Sequence, residues 1–174
     1  MGTFRITADD FQWINGAADD PHDLCLHGHV MVQFGDAVLE DTGTVSATAL
    51  YLLKTLTEDK LMAEYDIQMI PCCGHTLIAN DDLTEVSISG CDTGTDWSTL
   101  HEGDTVRFIL PSGQEEVVTL REYQYEVLGF AKEVKRFYDA CTPKEIPENE
   151  FDRNGYTAFW NEWQSRYNEG LMLL

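Results

Sequence analysis

Leu24-Cys25-Leu26-His27-Gly28-His29-Val30-Met31-Val32-Gln33-Phe34 alternates between two faces along its whole length. A period of two marks a half-buried strand. Leu24, Leu26, Val30, Val32 and Phe34 fall on one face, with Gly28 among them. Cys25, His27, His29, Met31 and Gln33 fall on the other. The first face is a core strip. The second carries a thiol and two imidazoles in a row, unusual chemistry for a plain solvent face. Phe34-Gly35-Asp36-Ala37 reads as a hairpin turn, returning the chain through Val38 and Leu39. Upstream, residues 3–7 alternate as a first strand, with Phe4 and Ile6 on one side. The chain therefore begins as an antiparallel sheet.

Working outward, Ser46 is a plausible N-cap for a helix over 46–56, with Val45, Ala49, Leu52, Leu53 and Leu56 as its apolar stripe. Short strands are expected at 65–70, 75–79 and 84–89. A hairpin is expected from 106–110 and 115–120, around Pro111-Ser112-Gly113. Thr119-Leu120-Arg121-Glu122 is then a capping box, in which the Thr hydroxyl accepts the N3 amide while Glu122 reaches back. Leu120, Tyr123, Val127, Phe130, Val134, Phe137 and Cys141 follow at steps of three and four, one helical face that Pro143 ends. A last helix over 155–167 bears Tyr156, Phe159, Trp160, Trp163 and Tyr167. The pattern predicts an α+β fold in a single domain spanning 1–174. It has a mainly antiparallel sheet of about seven or eight short strands and three helices, the long one near 120–141 packed on the sheet. Residues 1–119 are the β-rich part, with one helix near 46–56. Residues 120–168 are helical.

Charge excludes whole classes of partner. The chain carries 31 acidic residues against 11 basic ones. Residues 61–119 hold 11 acids and one base, Arg107, so the acidic pole lies in the middle of the sequence. Such a field repels nucleic-acid phosphates and anionic lipid, so neither nucleic acid nor membrane is an expected partner. A basic protein surface is. Asp81, Asp82, Glu85, Asp92, Asp96, Glu102 and Asp104 are the acids expected on an exposed, partner-binding face. No secretory signal or membrane span is legible in the sequence, which points to the cytoplasm and to reduced thiols.

Cysteine and histidine supply a second candidate. His27 and His29 share a strand face; Cys72, Cys73 and His75 cluster beside a turn; Cys91 follows one hairpin later. Zinc takes about four nitrogen or sulfur ligands, and His27, His29, Cys72 and His75 are the candidate set. The spacing matches no zinc signature, and Asp92 to Asp96 lacks the spacing and closing Glu of a calcium loop. A second, weaker option is a thiol enzyme with Cys72 or Cys73 as nucleophile and His75 or a sheet histidine as base, although the scarcity of cations makes thiol activation hard. No phosphate-binding loop or dinucleotide fingerprint appears. The sequence thus points first to a non-enzymatic acidic interaction domain, of inhibitor or immunity type, for a basic partner. The alternative is a zinc-binding or thiol-dependent enzyme centred on the Cys/His cluster.

Overall fold

The computed structural model describes residues 2–63, 67–74 and 76–174. In chain order the elements are β1 (Phe4–Gln12), β2 (His27–Phe34), β3 (Ala37–Thr44), α1 (Val45–Lys54), β4 (Ile70–Pro71), β5 (Thr76–Ala79) and β6 (Val86–Ser89). They continue through β7 (Gly94–Thr95), β8 (Ser98–Glu102), β9 (Thr105–Ile109), β10 (Glu115–Thr119), α2 (Leu120–Ala140) and α3 (Glu150–Met172). The fold is α+β, as the pattern predicts. Among the described residues, ten antiparallel strands are divided over four small sheets: β1-β2-β3, β10-β9-β8, β4-β7 and β5-β6. Of the strands expected at 65–70 and 75–79, the described residues show β4 and β5; Tyr65, Asp66 and His75 lie outside the described residues.

The alternation in β2 sets the register. Val30, Val32 and Phe34 are buried, while Met31 is exposed. Phe34 pairs with Ala37 across Gly35 and Asp36. Gly35 sits at φ +58°, a left-handed conformation that glycine adopts without a Cβ clash. Cys25 departs from the expected outer face. It precedes β2 and is buried, because its amide is held by Asp23 Oδ1 at 3.0 Å and the chain has not yet become extended.

Both early helix ends differ from the simple reading. α1 starts at Val45, and its N-cap Thr44 makes no side-chain cap bond. Ser46 lies inside the first turn, and its Oγ accepts the Leu26 amide at 3.1 Å, tying the helix to the entrance of β2. At α2, Thr119 Oγ1 accepts the Glu122 amide at 3.1 Å, half of a capping box. The other half is replaced: Glu122 Oε1 accepts the Phe4 amide at 3.4 Å and so links α2 to β1. Tyr123, Val127, Phe130 and Val134 are buried as expected, and Phe137 is half-buried. α3 is longer than predicted because Asn149 caps it, accepting the Phe151 and Asp152 amides at 2.8 and 3.2 Å.

Two features lock the layers. Phe4, Phe34, Phe108 and Tyr123 form a ring cluster, with centroid separations of 4.9–5.5 Å, that joins β1, β2, β9 and α2. The Tyr123 hydroxyl, fully buried, shares a hydrogen bond of 2.6 Å with Thr55 Oγ1 just past α1. On the other side, the buried carboxylate of Glu162 accepts the Val86 amide at 2.8 Å and pairs with Lys54 at 3.1 Å, so α3 is fastened to β6 and α1. Removing the Phe108 ring leaves a cavity that three aromatic neighbours cannot fill. Phe108→Ala is expected to cost about 3–5 kcal/mol, read by chemical denaturation. A loss well under about 1 kcal/mol would place the ring outside the core.

Candidate functional site

The expected acids do not share one sheet. Asp81, Asp82 and Glu85 are exposed at the β5–β6 turn. Glu102 and Asp104 are exposed at the β8–β9 turn, where Glu102 Oε1 is held by Arg107 Nε at 2.7 Å. Asp92 is exposed in the loop before β7. Asp96 is a correction. It is buried, receives Lys60 Nζ on both oxygens at 2.7 Å, and accepts the Met69 amide at 3.0 Å. Burial raises its carboxyl pKa, and the Lys60 ammonium opposes that rise. It joins residues 60 and 69 instead of standing on the exposed face.

A denser acidic feature lies elsewhere. A groove of about 580 Å³ is lined by His22, Asp23, Glu145, Glu148 and Asp152 together with the apolar Leu24, Leu77 and Ile146. Among the described residues, no lysine or arginine lines it. Two acidic stretches more than a hundred residues apart are strapped together to make it. Thr142 donates its amide and hydroxyl to Asp19 Oδ2 at 2.8 and 2.7 Å, which lowers the Asp19 carboxyl pKa. The Glu145 amide donates to Pro21 O at 2.8 Å, and Lys144 Nζ lies 3.0 Å above the Trp13 ring centroid. Burial lowers the Lys144 ammonium pKa, while Cys141 and the surrounding acids raise it. Sequence reading missed this groove. The acid-rich runs 19–23 and 145–152 were visible, but not their meeting.

The cysteines converge where the histidines do not. The Sγ atoms of Cys72, Cys73 and Cys91 all lie within 4.8 Å of one another. Neither His27 nor His29 belongs to that cluster. His29 lies between Asp9 and Glu40 on the neighbouring strands, at 3.2 and 3.7 Å. His27 is half-buried on β2, and His75 lies outside the described residues. Cys72 and Cys91 are paired at disulfide distance, which corrects the expectation that all five thiols are free; Cys25, Cys73 and Cys141 remain free.

The local backbone explains the convergence. β4 pairs with β7, and the Cys72 amide donates to Thr93 O at 3.1 Å. A Cβ on Gly90 would strike Cys73 O, and one on Gly94 would come within 3.1 Å of the Cys72 amide nitrogen. Only bare glycine backbone lets these segments approach so closely. Thr95 Oγ1 fixes the loop to β3 through Asp41 Oδ2 at 3.0 Å. Beside the sulfurs lies a cavity of about 180 Å³ lined in part by Tyr51, Gln68, Ser89 and Asp92.

Comparison with protein-family models, with curated proteins and with solved structures finds no match to this chain. No helix among the described residues is long and apolar enough to cross a membrane.

Cys25 serves the thiol loop from beneath, its Sγ donating to Gly74 O at 3.6 Å. Burial pushes its thiol pKa up to about 12. A thiolate is the reactive form, so Cys25 should resist iodoacetamide in the native protein at about pH 8 and react only on unfolding. Peptide mass mapping that finds Cys25 alkylated as fast as Cys73 would contradict its placement.

Proposed function

We propose that this protein is a non-enzymatic interaction domain that receives a basic protein segment, as an inhibitor or immunity-type protein does. The observation that carries the reading is the groove beside α3. Its volume falls in the range of about 300–1,000 Å³ that ligand sites occupy. Its lining combines acidic and apolar side chains. An arginine or lysine stem fits over Leu24, Leu77 and Ile146, with its charged head at Glu145, Glu148 or Asp152. Glu148 and Asp152 are exposed at the loop before α3 and at its first turn.

The two acid sets then have different tasks. The exposed acids at the turns, Asp81, Asp82, Glu85, Asp92, Glu102 and Asp104, steer a basic partner from a distance. The groove holds it once it has arrived. Steering charge acts on the association rate, and seated contacts act on the dissociation rate. The same field keeps nucleic acid and anionic membrane away.

An arginine-rich peptide on a biosensor surface separates these tasks. Glu145→Gln, Glu148→Gln and Asp152→Asn together should speed dissociation about tenfold or more, equivalent to about 1.4 kcal/mol. Asp81→Asn, Asp82→Asn and Glu85→Gln together should slow association and leave dissociation unchanged. Both variants lose the same charge. Equal weakening through the same rate constant would mean that net charge alone binds the peptide, and the groove reading would fail.

A further inference from the structure

We infer that Cys72, Cys73 and Cys91, when reduced, form a binding site for a thiophilic divalent cation of the zinc type. This site is separate from the acidic groove and does not depend on it.

The geometry comes first. Tetrahedral zinc with sulfur ligands at about 2.3 Å places neighbouring sulfurs about 3.8 Å apart. The three Sγ atoms lie within 4.8 Å of one another, with Cys72 and Cys91 at disulfide distance, so once that pair is reduced and separates all three sulfurs face one small volume. They come from two separate chain segments, drawn together by Gly90 and Gly94 packing against the Cys72 and Cys73 backbone. They are not core hydrophobes. Cys72 and Cys73 are half-buried and Cys91 is exposed, whereas a cysteine used for packing is ordinarily buried, as Cys25 is.

The surroundings suit thiolates. The Cys91 amide donates to Cys73 Sγ at 3.0 Å, and the Thr93 hydroxyl donates to Cys72 Sγ at 2.8 Å. Hydrogen bonds of this kind orient metal-bound sulfurs and stabilise their charge. The lysines and the arginine nearest in sequence are engaged elsewhere. Arg107, the only base in residues 61–119, is engaged by Glu102 and Glu115. Lys54 is paired with Glu162, and Lys60 with Asp96. A bound cation takes the place of such a side chain, since metal binding displaces the thiol protons and stabilises the thiolates. Sulfur ligands select zinc-like ions over calcium or magnesium. The three cysteines supply three of the four tetrahedral positions. The site requires Cys72 and Cys91 to be in the thiol form, so their disulfide and the metal are mutually exclusive.

The test uses the full chain, reduced with a phosphine, stripped of metal by a chelator and titrated anaerobically with cobalt(II). The expected result is one equivalent bound. It should show a thiolate-to-cobalt charge-transfer band and the visible bands of a tetrahedral ion, both abolished by added zinc. Cys73→Ser and Cys91→Ser should lose the charge-transfer band, while a Cys25→Ser, Cys141→Ser double variant keeps it. Thr93→Val removes a supporting hydrogen bond without touching a ligand and should weaken the metal about 10–100-fold. Circular dichroism of each variant establishes that it is folded. Absence of the charge-transfer band in the reduced wild-type chain would overturn the inference. So would its persistence in a folded variant with Cys72, Cys73 and Cys91 all replaced by Ser.

Discussion

The contact on which the rest of the molecule depends is the packing of Phe4, Phe34, Phe108 and Tyr123. Phe4 stacks on Phe108 at 5.1 Å and meets Tyr123 edge-on at 4.9 Å. These rings belong to two different sheets and to α2, so a single cluster fixes the angle between layers that no backbone hydrogen bond in a sheet can set. Edge-to-face and offset contacts of this kind add about 0.5–1.5 kcal/mol per pair beyond their burial. Trp97 extends the cluster through Phe34 at 5.3 Å, and its neighbour Asp96 then places Lys60 and Met69. The buried α1 lies behind Tyr123, held through Thr55.

With the centre fixed in this way, chemistry is left to the loops, where binding groups are commonly carried on a rigid scaffold. The strap from Thr142 to Asp19 closes the acidic groove, and α3 supplies its far wall with Asp152. The β4–β7 pair holds the thiol loop at another place. Both depend on contacts between distant chain segments. Both also leave acidic or sulfur side chains at the surface while the nearby cations are spent: Lys144 over Trp13, Lys60 on Asp96, Arg107 on Glu102. The excess of acids is therefore used unevenly. Some carboxylates are buried clamps, some fix turns, and some remain exposed.

What was legible in the sequence was local. The alternation around Val30 and Val32, the Gly35 turn, the Thr119 cap and the face from Tyr123 to Val134 all follow from short-range periodicity or a single side-chain bond. The extent of α3 was less legible because its polar residues dilute the aromatic stripe and its start rests on Asn149 alone. The division into four sheets depends on pairings that local periodicity does not encode. The same limit applies to function. Sharing a strand face did not bring His27 and His29 to Cys72, whereas Cys91, eighteen residues beyond Cys73, reaches it because β4 and β7 pair. Asp96 reads as one more surface acid until Lys60 is placed against it.

The central claim is that a shaped groove, and not the total charge, receives a basic partner. The most direct measurement is a nuclear magnetic resonance titration of the isotopically labelled protein with an arginine-rich peptide, following every backbone amide. The account predicts saturable shifts concentrated at residues 22–25 and 145–153, with only small changes at the turns bearing Asp81, Asp82, Glu102 and Asp104. Shifts of equal size at all the acidic turns, without saturation, would contradict it.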